Sequence, residues 1–256
     1  MKNFEEILKN RKNISFFRDD KVPEKQLIEN ILEKTHNLTP HKNNFWHYEI
    51  EVYGPEHKEE KKYTAISTVC STDRKYYKGK NIPSEKYIEL EKIYDEWLYL
   101  HNESKKSLEW EQRRQKFKEK HNKIHFNNQV RAPYLLVYTK KDKLLTESQE
   151  KSDYYKKGRL NEVFDVTYQT RSDMWLIQAG MHSIITSALA VEQGLDASFC
   201  KCYFYNEYLH NNILRKARGN PGNIAFLLGL GYGDKEKHTY QSYVEKPLLE
   251  EIIKWQ

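Results

Sequence analysis

The sequence is short of the residues that usually announce chemistry. It has three cysteines in 256 residues: Cys70, Cys200 and Cys202. An odd number without disulfide-like spacing points to a reducing compartment. Cys200 and Cys202 form neither a C-x-x-C redox motif nor a zinc knuckle, and in extended chain they face opposite sides. His36, His41 and His47 lack the fixed spacing and the accompanying carboxylates or cysteines of a metal site. They read as solvated or hydrogen-bonded histidines. The phosphate loop G-x-x-x-x-G-K-[ST] is missing, and G-L-G-Y-G at 229–233 follows a strand without opening a helix, so it is no dinucleotide fingerprint. No internal repeat, low-complexity linker, catalytic triad or carboxylate pair stands out. Long apolar runs are missing too, with one exception.

The exception is MWLIQAGMHSIITSALAV, residues 174–191, in a chain whose mean hydropathy is −0.93. Its length and its Ala, Leu, Met and Gln content favour helix over strand. Apolar residues surround most of its circumference, which predicts a helix buried on nearly all sides. Gln178, Gly180, His182, Thr186 and Ser187 interrupt it too often for a membrane span, which takes about 20 mostly apolar residues. Gly180, Ser183, Ser187 and Ala190 lie three and four apart, so a neighbouring helix can approach closely. Ser172 or Asp173 is placed to cap its start and Gly194 to end it. The run reads as the core helix of a soluble protein.

The rest is polar but not disordered. Charged residues make up 31% and aromatics 13%, and that aromatic content argues for a packed core. The net charge of +6 is spread among interleaved Glu and Asp, as on a solvated surface. The start, MKNFEEILKNRKN, carries no apolar signal segment, so the expectation is cytoplasmic.

Along the chain, Phe4 to Asn10 predicts a short helix with Phe4, Ile7 and Leu8 inward. Arg11, Lys12 and Arg18 then put cationic donors beside Ile14, Phe16 and Phe17. Pro23 opens a helix whose apolar face is Leu27, Ile28, Ile31 and Leu32. Pro40 and the asparagines after it mark a loop. Residues 46–53 alternate as a strand with Trp46, Tyr48, Ile50 and Val52 on one face. Residues 55–130 are the most charged part; Ser84 caps a helix with Ile88, Ile93 and Trp97 inward, and 107–123 continues helically. Residues 133–139 and 224–230 read as buried strands, 140–160 as a polar loop, 219–223 as a turn, and KPLLEEIIKW as a short tail helix. The sum is α+β.

Six segments, in order, resemble the nitroreductase family of FMN-dependent oxidoreductases. RKNISFF at 11–17 is similar to that family's R-R-S-x-R-x-F. DDKVPEKQLIENILE at 19–33 resembles its acidic-x-x-V-P helix entry, and TPHKNNFWHYEIEV at 39–52 its A-P-S-x-x-N-x-Q-P-W-x-F-x-V. VRAPYLLVY at 130–138 resembles its D-A-P-V-L-I-V strand. EQGLDASFCK resembles its L-G-L-D-x helix end, and NIAFLLGLGYG with EKPLLEEIIKW its closing strand and tail. Residues 55–129 are not closely covered.

The resemblance implies a mixed, mainly antiparallel sheet packed between helices, in one domain over 1–256 with a charged helical insertion at about 55–130. It implies an intertwined homodimer with FMN at the interface. Hydride passes from NAD(P)H through the flavin to a nitroaromatic, a quinone or a related small acceptor. Such chemistry needs no acid, base, nucleophile or metal from the protein. The cofactor-binding residues it implies are Arg11, Lys12, Asn13, Ser15, Asn44, Phe199, Cys200, Lys201 and Lys246. Arg11 offers phosphate a bidentate fork. Ser15 departs from the family's usual Arg or Lys, and Glu245 from the basic residue before Lys-Pro, which makes Lys237 a rival to Lys246. Alternatives are an offshoot with other flavin chemistry (flavin cleavage, dehalogenation, azoline oxidation), a member that has lost flavin, or a basic nucleic-acid-binding protein built on 55–130. Membrane association is not expected, and the interleaved charge argues against nucleic acid.

Overall fold

The computed structural model describes residues 4–10, 14, 16–41, 46–67, 70–71, 84–102, 107–122, 124–141, 147, 151, 174–200, 224–234 and 249–253. The elements in chain order are α1 (Phe4–Asn10), α2 (Lys25–Leu38), β1 (Tyr48–Tyr53), α3 (Lys58–Ser67), β2 (Cys70–Ser71), α4 (Ser84–Asn102) and α5 (Leu108–His121). They continue with β3 (Ile124–His125), a 3-10 turn (Asn128–Arg131), β4 (Tyr134–Lys140), α6 (Met174–Glu192), β5 (Asp196–Cys200), β6 (Ile224–Gly231) and α7 (Leu249–Ile252). The fold is α+β.

Four strands form one sheet in the order β1-β4-β6-β5, and each pairing is antiparallel. β4 and β6 are central and buried almost throughout, which is why they read as continuous apolar runs. Tyr138 faces Phe226 while Thr139 faces Ile224. Ala225 is therefore an extra residue, a bulge that turns both Ala225 and Phe226 to the same layer.

Helices cover both faces. On one, α2 and α6 pack through Ile28, Ile31, Trp175 and Ala179 onto Tyr48, Leu136, Tyr138 and Leu228. On the other, α3 and α4 pack through Ile66, Leu90, Tyr94 and Trp97 onto Tyr53, Leu135, Val137 and Leu227. A sheet covered twice explains why β1 buries side chains on both of its faces. Tyr48 is buried in the first layer and Tyr53 in the second, while Val52 is exposed and Trp46 precedes the strand. Ile88, expected inward, is exposed as well, because the buried face of α4 is Leu90, Ile93, Tyr94, Trp97 and Leu100. α5 is a separate helix; the Ser107 hydroxyl accepts from Trp110 N at 3.1 Å and caps it.

α6 has the expected limits. Gly194 takes φ +76°, Gly194 N donates to Val191 O, and Leu195 N donates to Ala190 O. That is a Schellman end, with Leu195 packed into the same core as Ala190. Its surroundings differ from expectation. Leu176, Ile177 and Ile184 are 37, 55 and 41% exposed, an apolar stripe on one side of a helix expected to be covered all round. By length and composition α6 suits a membrane span, yet 56% of its most apolar window is buried in the fold.

Candidate functional site

The chain's N-terminal segment meets β5 at the edge of the sheet. Ile14 N donates to Ala197 O at 3.3 Å. Beyond Asp196, the first residue of β5, the segment takes over the pairing with the chain that leaves β6. Phe17 bridges Gly233, with Arg18 N donating to Tyr232 O and Asp234 N to Phe16 O. Those two bonds flank Phe17 and Gly233 as an antiparallel, non-hydrogen-bonded pair. Ile14 and Phe17 are buried, so the segment is anchored by two apolar side chains and three backbone bonds.

The glycines of the 229–233 stretch make this docking possible. A Cβ on Gly229 would lie 2.7 Å from Ala132 Cβ and 3.3 Å from Phe17 Cε2, and one on Gly231 2.5 Å from Pro133 Cδ and 3.0 Å from Phe17 Cδ1. Phe17 and the 129–133 turn therefore pack on bare backbone. Gly233 N donates to Asp196 Oδ2 at 2.8 Å, tying the first residue of β5 to the bridge.

β5 leads to the two described members of the expected site. Phe199 is 44% exposed, with its ring 4.7 Å from Phe226 behind it. Cys200 is buried, and its sulfur accepts from Asn127 Nδ2 at 2.8 Å. Its side chain is thus turned into the α3/α4 layer. Arg11, Lys12, Asn13, Ser15, Asn44, Lys201 and Lys246 lie outside the described residues, as do Lys237, Glu245, Ser172 and Asp173. The structure brings Ile14, which follows the cationic cluster, onto the strand that carries Phe199 and Cys200, and Phe16–Arg18 onto residues 232–234 beside it.

The α2/α6 layer holds a polar cluster that sequence reasoning missed. Tyr138 hydroxyl and His182 Nδ1 are 2.9 Å apart. Gln178 Oε1 accepts from His47 N at 3.1 Å and sits 2.8 Å from His47 Nδ1. His41 Nδ1 lies 2.7 Å from Thr39 O; the His36 ring stacks on Trp46 at 4.1 Å, and the His41 ring lies tilted against it at 3.3 Å. The reading of His41 and His47 as hydrogen-bonded holds. Tyr48 hydroxyl and His41 Nε2 are buried without a hydrogen-bond partner. Burial pushes His182 down to about 3, with His41 and His36 adding to it, and burial raises Tyr48 and Tyr138 above the usual phenol range. The available signal was His182, Thr186 and Gln178 inside the most apolar run, polar residues that a core helix keeps only when they are partnered. Among the described residues, no group of three or more His, Cys, Asp or Glu is placed to hold a metal ion.

No protein-family model and no curated protein matches the sequence. Solved structures do. An FMN complex from Exiguobacterium sibiricum superposes with TM-score 0.59 at 16% identity, covering 100% of this chain and 98% of that one. The FMN- and NADPH-dependent nitroreductase of a Sphigopyxis strain gives 0.52 at 15% identity, covering 100 and 99%. A BluB-like flavoprotein from Clostridium difficile gives 0.53 at 16% identity, covering 100% of both. The chain has the nitroreductase fold, over its whole length.

Proposed function

We propose that this protein is an FMN-dependent oxidoreductase that passes hydride from NAD(P)H to a small organic acceptor such as a nitroaromatic or a quinone. The observation that supports it most is the docking of Ile14 onto β5 and of Phe16–Arg18 onto residues 232–234 beside it, because it brings together the two segments that the family resemblance assigns to the cofactor. Arg11, Lys12 and Asn13 immediately precede Ile14, and Lys201 immediately follows Cys200. The described residues suit a flat, anionic cofactor. Phe199 presents a half-exposed apolar ring backed by Phe226, and the segment carrying the guanidinium of Arg11 is fixed to the same strand.

In this reading Arg11 grips the phosphate with two parallel donors, and Lys12, Asn13 and Ser15 complete the anionic end. Asn44, Lys246 and Lys201 would supply further polar contacts to the cofactor. Cys200 contributes backbone, since its thiol is engaged inward by Asn127. FMN, when bound, supplies the hydride chemistry between nucleotide and acceptor. The superpositions on a nitroreductase and on a BluB-like flavoprotein are equally good, 0.52 against 0.53, so the acceptor follows from lining residues and not from the fold.

A second copy of the chain covers Leu176, Ile177 and Ile184 on α6, making a homodimer. An apolar stripe on a helix of this length is the surface that such an interface removes from water.

The test is direct. Purified protein reconstituted with FMN should keep a yellow chromophore through dialysis, bleach on anaerobic NADH or NADPH, and recover with a nitroaromatic or quinone. Arg11→Ala should lose FMN at least ten-fold more readily. Protein that stays colourless after reconstitution and oxidises neither nucleotide would overturn the reading.

A further inference from the structure

Tyr138 and His182 meet in the middle of the α2/α6 layer, 0 and 3% exposed. Thr186 Oγ1 lies 3.2 Å from His182 Nδ1, but it donates its one proton to the His182 carbonyl at 2.9 Å. In the His182 tautomer protonated at Nε2, the phenol proton of Tyr138 has Nδ1, 2.9 Å away, as its acceptor. Rings continue on both sides of the pair. Phe226 is 4.5 Å from Tyr138 and Phe199 4.7 Å beyond it, toward the end of β5. In the other direction Tyr48 is 6.1 Å away and half-buried Trp46 5.9 Å further on. Tryptophan and tyrosine are the side chains that lose one electron most readily among these, and neighbouring rings are close enough for electron tunnelling.

We propose that Tyr138 and His182 form an internal one-electron redox pair, a sink for oxidising equivalents that enter the chain of rings from a strong one-electron oxidant such as an oxyl radical or a metal(III) polypyridyl. One electron leaves Tyr138 along the rings and reduces the oxidant by one. The phenol O–H bond breaks and an N–H bond forms at Nδ1, leaving a neutral tyrosyl radical beside an imidazolium. Re-reduction by a thiol or ascorbate supplies the electron, and the proton returns to the phenol. Tyr138 is the resting place because, along this chain of rings, Tyr48 has a buried hydroxyl with no partner to take its proton. Burial holds His182 neutral, and in the tautomer protonated at Nε2 its Nδ1 lone pair takes the proton. An oxidised phenol is a far stronger acid than any imidazolium, so the transfer proceeds even to a weak base.

The test needs no flavin and is independent of the proposed activity. The protein is photo-oxidised with ruthenium(II) tris(bipyridine) and a cobalt(III) electron acceptor, frozen, and read by high-field electron paramagnetic resonance. A hydrogen-bonded neutral tyrosyl radical is expected, falling at least ten-fold in Tyr138→Phe. It should be unchanged in Tyr53→Phe, whose hydroxyl donates to Glu51 at 2.6 Å on the opposite face. An undiminished signal in Tyr138→Phe overturns the pair. If that variant fails to fold, protein labelled with 15N-histidine decides: hyperfine coupling of the wild-type radical to a histidine nitrogen supports the pair, and its absence overturns it.

Discussion

The two faces of the sheet are finished in opposite ways. The layer of α3 and α4 comes from the most charged third of the chain, yet it closes on itself. Leu90, Ile93, Tyr94, Trp97 and Leu100 all point inward from one helix, and Phe126 packs edge-on to Tyr94 at 5.1 Å. The layer of α2 and α6 contains the most apolar helix of the molecule. It buries His182, Gln178, Ser183, Thr186 and Ser187 and leaves Leu176, Ile177 and Ile184 in water. Overall hydrophobicity thus says little about whether a layer is complete. What completes a layer is an apolar face matched to one neighbour. α4 is amphipathic and has its neighbour within the chain, whereas α6, packed on α2, the sheet and α1, still exposes Leu176, Ile177 and Ile184.

The largest expected contrast is in pH dependence, because each face buries one basic group. Burial holds His182 at about 3, below its ordinary 6.5. Its contribution to stability is full above pH 6.5 and is lost as the pH falls toward 3, by at most about 5 kcal/mol. On the other face Lys61 donates to Pro133 O at 2.6 Å, and burial brings it down to about 8 from 10.5. Below pH 8 the fold carries a buried ammonium. Between 8 and 10.5 the folded chain releases that proton while the unfolded chain keeps it, so stability rises, by at most about 3 kcal/mol. Above pH 10 the raised Tyr48 and Tyr53 oppose this, since they ionise only on unfolding. Urea midpoints at pH 4, 7, 8 and 9.5 should show an acid loss and a small alkaline gain. The gain should vanish in Lys61→Met.

Truncation should separate the faces next. Trp97→Ala removes a 6% exposed indole packed on Tyr94 and Phe126. It should cost about 3–5 kcal/mol, read as a lower thermal midpoint. Removing the outer apolar stripe should act on association instead. Ile177→Glu with Ile184→Glu should leave the far-ultraviolet spectrum intact and shift the protein to a monomer in sedimentation. A double variant that sediments like the wild type would remove that stripe as the interface.

The same contrast governs what could be read in advance. The limits of α6 and its Gly194 end, and the strands at 134–140 and 224–231, were legible because each is a long apolar run closed by a residue with a local job. Val52 shares its strand face with buried Tyr48 yet is exposed, and Ile88 lies off the buried row of α4, because periodicity shows which positions share a face, not which face has a neighbour. Tyr53 is buried only because α3 and α4 cover the side of the sheet opposite α2 and α6. The docking of Ile14 and Phe16–Arg18 was not legible. It is made by backbone bonds to Ala197 and Tyr232, and by glycines whose purpose is the space they leave, and neither produces a side-chain pattern. Of the nine expected cofactor residues only Phe199 and Cys200 fall among those described, and of these the cysteine is turned inward.

The smallest effect tests that docking alone. Asp196 accepts the one side-chain hydrogen bond seen between β5 and the bridge, from Gly233 N. Asp196→Ala leaves that N–H, at a half-buried position, without its acceptor. Such a loss is worth about 1–2 kcal/mol locally. Spread over a segment that makes three backbone bonds among the described residues, it should loosen Ile14 and Phe16–Arg18 more than the sheet behind them. Hydrogen exchange at Ile14 and Arg18 should therefore quicken about ten-fold while Leu136 and Leu228 stay protected. Asp196→Asn keeps an acceptor oxygen and should restore most of the protection. If FMN is held from Arg11, its retention should track the exchange rate at Ile14 across the three proteins. Should retention stay constant while exchange quickens, the cationic segment does not carry the cofactor, even though it docks where the structure puts it.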